Sequence, residues 1–239
     1  MARRRARRTR STNARPSPAK PPAPAGERGK IIAAFMALLA EKPIEKIGMA
    51  EIAKKAGVSL AELRGAFASP LAILAAHIKE IDRIVLAHDF GDMEDEPVRE
   101  RLFDVLMRRL DPLAPHRDAV RSLLRSARRD PPLALALNAL AVRSQKWMLN
   151  AAGIGGSGPA GGLRAQGLAL LFSSVLQTWV RDDDPGLART MAALDRALAR
   201  GQRLAGLLND LCTIPARICR FRPRRRRRRD DAAEESAAA

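Results

Sequence analysis

The sequence predicts an all-α protein of about nine helices, on three observations. Alanine, leucine and arginine dominate the 239 residues, a composition that suits helices, and no stretch alternates β-branched residues as a strand would. Apolar side chains recur every three to four residues, as at Leu74, Ile78, Ile81 and Val85, which aligns them on one helical face. Gly, Pro, Ser and Asp punctuate these runs where helices start and stop.

The first helix is expected over about 30–40, with Ile31, Phe35, Leu38 and Leu39 on one face. A second, 49–56, begins after Gly48 and stops before Gly57. Ser59 then caps a third helix that runs to about Phe67. With Glu62 three positions on, it forms a capping box in which two otherwise orphaned backbone amides find side-chain acceptors. Ser69 and Pro70 open a long fourth helix, which the acidic "HDFGDMEDEP" ends. Pro97 begins a fifth, with Leu102, Phe103, Leu106 and Leu110 on one side. "APHRDAVRSLLRSARR" makes a sixth, strongly basic on its solvent side. Asp130 caps a seventh whose first position is Pro131. The following "GIGGSGPAGG" has no lysine and follows a helix, so it reads as a flexible connector rather than a phosphate cradle. An eighth helix covers about 160–181. Asp184 and Pro185 start a ninth, whose apolar edge carries Leu187, Met191, Leu194 and Leu198.

Charge is concentrated at the ends. Of the formal +17, residues 1–29 carry +8 and residues 217–239 carry +5, which leaves +4 on the 187 residues between them. The first tail contains no Val, Ile, Leu, Phe or Trp and cannot bury enough apolar surface to offset its ordering entropy, so it is expected to be disordered. The Arg-rich second tail is expected to be disordered too. Both suit non-specific attraction to polyanions. Beside the apolar positions Leu204, Leu207, Leu208 and Leu211, the arginine run 224–229 equally suits peripheral contact with an anionic membrane. "IIAAFMALLA" is followed by the charged "EKPIEK" and fits a first core helix better than an export signal. No apolar run reaches the ~18–20 residues of a membrane span, so a cytoplasmic location is expected.

No catalytic constellation is visible. His77, His88 and His116 are scattered, Cys212 and Cys219 read as reduced thiols, and no nucleotide fingerprint occurs. "RDDDP" at 181–185 is a helix start, where carboxylates complement the macrodipole, rather than a metal site. Neither enzymatic activity nor a metal or cofactor is expected.

The stretch "GKIIAAFMALLAEKPIEKIGMAEIAKKAGVSLAELRGAFASPLAILAAHI", residues 29–78, resembles the N-terminal domain of TetR-type transcriptional regulators. Its turn makes physical sense. Ile52, Ala53 and Ala56 bury one face, Gly57 permits a left-handed residue, Val58 plugs the angle, and Leu63 and Phe67 pack the next helix back. The resemblance implies a helix-turn-helix DNA-binding domain at 30–88 and a helical ligand-binding and dimerisation domain at 97–216. Lys54, Lys55, Ser59, Leu60, Ala61 and Arg64 would then face double-stranded DNA. Where the family most often has Thr, Tyr and a polar residue such as His, this chain has Glu62, Arg64 and Ala66; Pro70 replaces a common Lys. Shape is kept, and surface chemistry only in part.

Residues 97–198, notably "PVRERLFDVLMRRLDPLAPHRDAVRSLL" and "TWVRDDDPGLARTMAALDRAL", also resemble the lipid-binding accessory family of ubiquinone biosynthesis, which shares the TetR fold. The function these resemblances imply is a regulator, a repressor released by a small apolar ligand; the alternative is an accessory lipid binder without a DNA role. An apolar pocket is expected among Leu106, Leu123, Trp147, Met148, Phe172 and Trp179. A homodimer is expected through helices eight and nine, using Leu168, Leu171, Leu187, Met191, Leu194 and Leu198 and spacing two recognition helices ~34 Å apart.

Overall fold

The computed structural model describes residues 26–88 and 95–218, with side chains as far as Arg203. Among the described residues there are nine α-helices and no strand: α1 Glu27–Glu41, α2 Met49–Ala56, α3 Leu60–Ala66, α4 Pro70–Leu86, α5 Val98–Leu113, α6 Arg117–Ala127, α7 Pro131–Ala151, α8 Gly158–Trp179 and α9 Ala188–Ile218. Two 3-10 turns, Ile44–Lys46 and Ala114–His116, lie between α1 and α2 and between α5 and α6. The chain divides into two compact units, 1–198 and 199–239, with α9 crossing the boundary. Most of the two expected tails, the arginine run 224–229 and Cys219 lie outside the described residues, as do the side chains of Leu204, Leu207, Leu208 and Leu211. No described helix is long and apolar enough to cross a membrane.

Element ends depart from expectation where local hydrogen bonds intervene. α1 starts at Glu27, three residues early, because Gly26 at φ 93 turns the chain into it. α8 starts at Gly158, so half of the glycine-rich connector is helical: Ser157 stands at the N-cap and Pro159 in the first turn. Gly161 has no room for a side chain there, since a Cβ would meet the Gly156 carbonyl oxygen at 2.0 Å. α9 begins at Ala188 instead of Asp184. The Asp184 carboxylate accepts from the amides of Gly186 (3.0 Å) and Ala188 (3.0 Å), forming a turn in which Leu187 takes a left-handed φ of 54. α9 then runs to Ile218, past the boundary expected at 216.

Two apolar cores form in the first unit, and they do not part at residue 88. One gathers Ile31, Phe35 and Leu39 of α1, Ile52 of α2, Leu63 of α3 and Ile73 of α4, together with Ala119 and Leu123 of α6 and Leu133 of α7. The other joins Ile81 and Val85 of α4 to α5, α7, α8 and the start of α9. Full burial of each such side chain stabilises by about 1.5–3 kcal/mol. α6 is also tied to the α1 end by polar contacts: Ser122 Oγ donates to the Lys42 carbonyl (3.2 Å) and Ser126 Oγ to Glu45 Oε2 (3.0 Å). α4, 17 residues and therefore ~25 Å long, enters both cores and couples the helix-turn-helix to the rest of the unit.

Candidate nucleic-acid interface

The helix-turn-helix is built by backbone chemistry that the residues dictate. α2 ends at Gly57, whose φ of 69 and ψ of 33 are left-handed. The Val58 amide reaches back to the Ala53 carbonyl at 3.1 Å, closing the helix end. Nothing lies within 4 Å of where a Cβ on Gly57 would sit, so glycine is there for its dihedral angles and not for space. The expected capping box opens α3: the Glu62 amide donates to Ser59 Oγ (3.1 Å) and the Ser59 amide to Glu62 Oε2 (2.6 Å). These bonds hold the Glu62 carboxyl below its ordinary pKa. A fixed negative charge therefore stands at the N-terminus of α3. The other end of α3 is held by Arg28, which the sequence did not single out. Its guanidinium lies 4.4 Å from the Phe67 ring centroid and donates to the Ala66 carbonyl at 2.9 Å.

Lys54, Lys55, Ser59, Leu60, Ala61 and Arg64 are all exposed on this motif. Lys54 and Arg64 make no ion pair among the described residues, whereas Lys55 Nζ is engaged by Glu41 Oε1 at 2.6 Å. Leu60 is 56% exposed at the first position of α3, an apolar contact surface of the kind that meets a thymine methyl.

The six residues expected to line a pocket do not all come together. Leu106, Met148, Phe172 and Trp179 share the second core and are almost fully buried; Leu123 belongs to the first core, because α6 packs on α1. Trp147 is 54% exposed: it lies one position before the inward-facing Met148, about 100° away around α7, and cannot share its direction. Two clefts, of about 180 and 130 Å³, are lined by none of the six. The side chains expected at a dimer interface are buried or half-buried within the protomer. Leu168, Leu194 and Leu198 are core, and Leu171, Leu187 and Met191 pack against it. The apolar residues that α8 exposes are instead Leu163 and Leu170.

A buried polar cluster went unforeseen. Arg109 of α5 pairs with Asp82 of α4, and Ser144 Oγ of α7 donates to the same Asp82 oxygen at 2.7 Å. His77, read from the sequence as an ordinary histidine, is buried edge-to-face against His116 with ring centroids 4.7 Å apart. Burial, His116 and Arg109 push its pKa down to about 4. Near α9, burial would raise the Asp182 carboxyl, but hydrogen bonds from the Thr190 amide (2.8 Å) and hydroxyl (2.7 Å) hold it below its usual range. Among the described residues no three His, Cys, Asp or Glu side chains gather to hold a metal.

No protein-family model matches the sequence, and no curated protein does either. Solved structures do. A TetR transcriptional regulator from Nitrosomonas europaea superposes with a TM-score of 0.56 at 22% identity, covering 72% of this chain and 96% of that one. The chain has the TetR-type fold. A TetR transcriptional regulator from Rhodococcus sp. gives 0.50 at 22% identity over 72% of this chain and 93% of its own. A TetR-family regulator structure from Syntrophomonas wolfei gives 0.53 at 14% identity over 75% and 94%. The TetR-type fold thus accounts for about three quarters of the chain.

Proposed function

We propose that this chain is a DNA-binding transcriptional regulator, acting as a homodimeric repressor that a small apolar ligand releases. The observation that carries this reading is the motif of α2 and α3, with Lys54, Ser59, Leu60, Ala61 and Arg64 exposed along it. Lysine and arginine neutralise phosphates, so affinity for duplex DNA should fall with salt, and each lost contact should lower the slope by about one unit. Fluorescence-anisotropy titration against the DNA upstream of its own gene tests this. Arg64→Ala should weaken operator and random duplex alike and reduce the slope; unchanged affinity and slope in a chain lacking both tails would reject the assignment.

In this reading 30–88 is the DNA-binding domain and 97–216 the ligand-binding and dimerisation domain, with α4 passing between their cores. Ligand entry would part Leu106, Met148, Phe172 and Trp179, and the tails would add affinity without sequence preference. The dimer would form on the outward face of α8. That 22-residue helix carries a single charge, Arg164, and exposes Leu163 and Leu170 one heptad apart, so it is apolar on both sides. A lipid-binding accessory protein on the same fold is the second reading. The Glu62 carboxylate at the head of α3, where a phosphate would otherwise sit, favours it.

A further inference from the structure

α6 carries a basic ridge that DNA binding does not use. Arg121 and Arg125 on it and Arg128 at its C-cap recur at spacings of four and three, and with Arg181, Gln177, Leu124 and Val180 they line a cleft of about 130 Å³. Two of these arginines are fixed. Arg121 donates to the Val180 carbonyl and pairs with Asp118, and Arg128 donates to Gln177 Oε1 at 2.8 Å. Arg125, one turn from Arg121, and Arg181 across the cleft make no ion pair among the described residues. Of the three acids that follow Arg181, Asp182 is occupied by Thr190 and Asp184 by the amides of Gly186 and Ala188, while Asp183 is exposed.

Two helix ends meet at this cleft, since α6 stops at Ala127 and α8 at Trp179. Each contributes roughly half a negative charge, which favours arginines there. Those two half-charges and Asp118 offset about two of the four guanidinium charges, and Asp183, exposed two residues from Arg181, offsets part of a third, which leaves the cleft net positive. The cleft is far below the ~300–1,000 Å³ of pockets for drug-sized ligands, yet of the scale of a phosphate group. Guanidinium forks match phosphate oxygens in pairs.

We propose that this cleft between the C-terminal ends of α6 and α8 binds a small phosphate-bearing dianion, with Arg125 and Arg181 as the engaging residues and Arg121 and Arg128 holding the walls. The site lies away from α2 and α3 and does not depend on the DNA reading.

Calorimetric titration of the full chain with inorganic pyrophosphate tests it. One saturable site per chain is expected, and Arg125→Ala and Arg181→Ala should each weaken it at least about tenfold, which is about 1.4 kcal/mol. Arg143→Ala, an exposed arginine of α7 outside the cleft, should leave it unchanged, and the melting temperature of each unliganded variant should stay that of the parent. A second arm uses phosphatidate against phosphatidylcholine vesicles. Vesicle capture lost in the same two variants would assign the phosphate to a lipid headgroup, whereas pyrophosphate binding without it would assign a soluble source. Pyrophosphate binding that survives in the doubly substituted chain would belong to the arginine tails and overturn the site. So would no saturable pyrophosphate binding, or a loss in the two variants confined to duplex DNA.

Discussion

Glu62 stabilises α3 and, in the proposed reading, repels the DNA that α3 would meet. Its carboxylate accepts from the Ser59 amide while standing exposed at the helix start. Glu62→Gln keeps an acceptor for the capping box and removes the charge, so duplex affinity should rise severalfold in an anisotropy titration with little change in melting temperature. Lower affinity would mean that Glu62 contacts a base or a bridging group. Inside the molecule, His77 is neutral when folded, at a pKa of about 4 against an ordinary 6.5. Between those values the unfolded chain binds the additional proton, so the stability held above pH 6.5 is lost as pH falls toward 4. Urea unfolding should show about 2 kcal/mol less stability at pH 5 than at pH 7.5, and His77→Gln should flatten that slope. The Asp82–Arg109 pair sets a second expectation. Asp82→Ala leaves a buried guanidinium unpaired and should cost about 3–5 kcal/mol, whereas Asp82→Leu combined with Arg109→Met should recover most of it. An equal loss in the double variant would show that packing, not charge, holds the site.

Helices were legible because caps and periods are local. Gly57 and the Ser59–Glu62 box mark the turn from residue types alone, and the structure places α2 at the expected 49–56. The buried pair was also written in the sequence, although it was not read. Asp82 and Arg109 fall at three- and four-residue spacings from Ile78, Val85, Val105 and Leu106, two opposite charges on apolar stripes. What a period does not give is the neighbour. Leu123 sits on the apolar side of α6, but which core that side enters depends on α6 packing against α1. α8 posed the harder case, because it carries leucines on both its inward and its outward sides, so the two sets could not be told apart. The exposed pair now carries the expectation. In sedimentation at micromolar concentration Leu170→Glu should shift a dimer toward monomer, while a parent chain that is already monomeric would dismiss the interface.

At the scale of the molecule, α4 joins two cores, Ile73 and Leu74 at one end and Ile81 and Val85 at the other. The buried Asp82–Arg109 pair fastens its second half to α5; in the proposed reading, displacement of α5 or α7 by a ligand would pass along this helix to α2 and α3. The fold was legible from residues 29–78 because the motif is continuous in sequence. The candidate ligand site was not, because its members come from helices whose mutual rotation only tertiary packing fixes. Whether α2 and α3 enter DNA is the question on which the proposed function depends. Hydroxyl-radical footprinting of the full chain on its upstream DNA answers it directly. Two protected patches about one helical turn, ~34 Å, apart should appear and should be lost in Lys54→Ala/Arg64→Ala with the fold intact. Diffuse protection that the double variant leaves unchanged would place the contacts on the basic tails and contradict a DNA-reading role for α2 and α3.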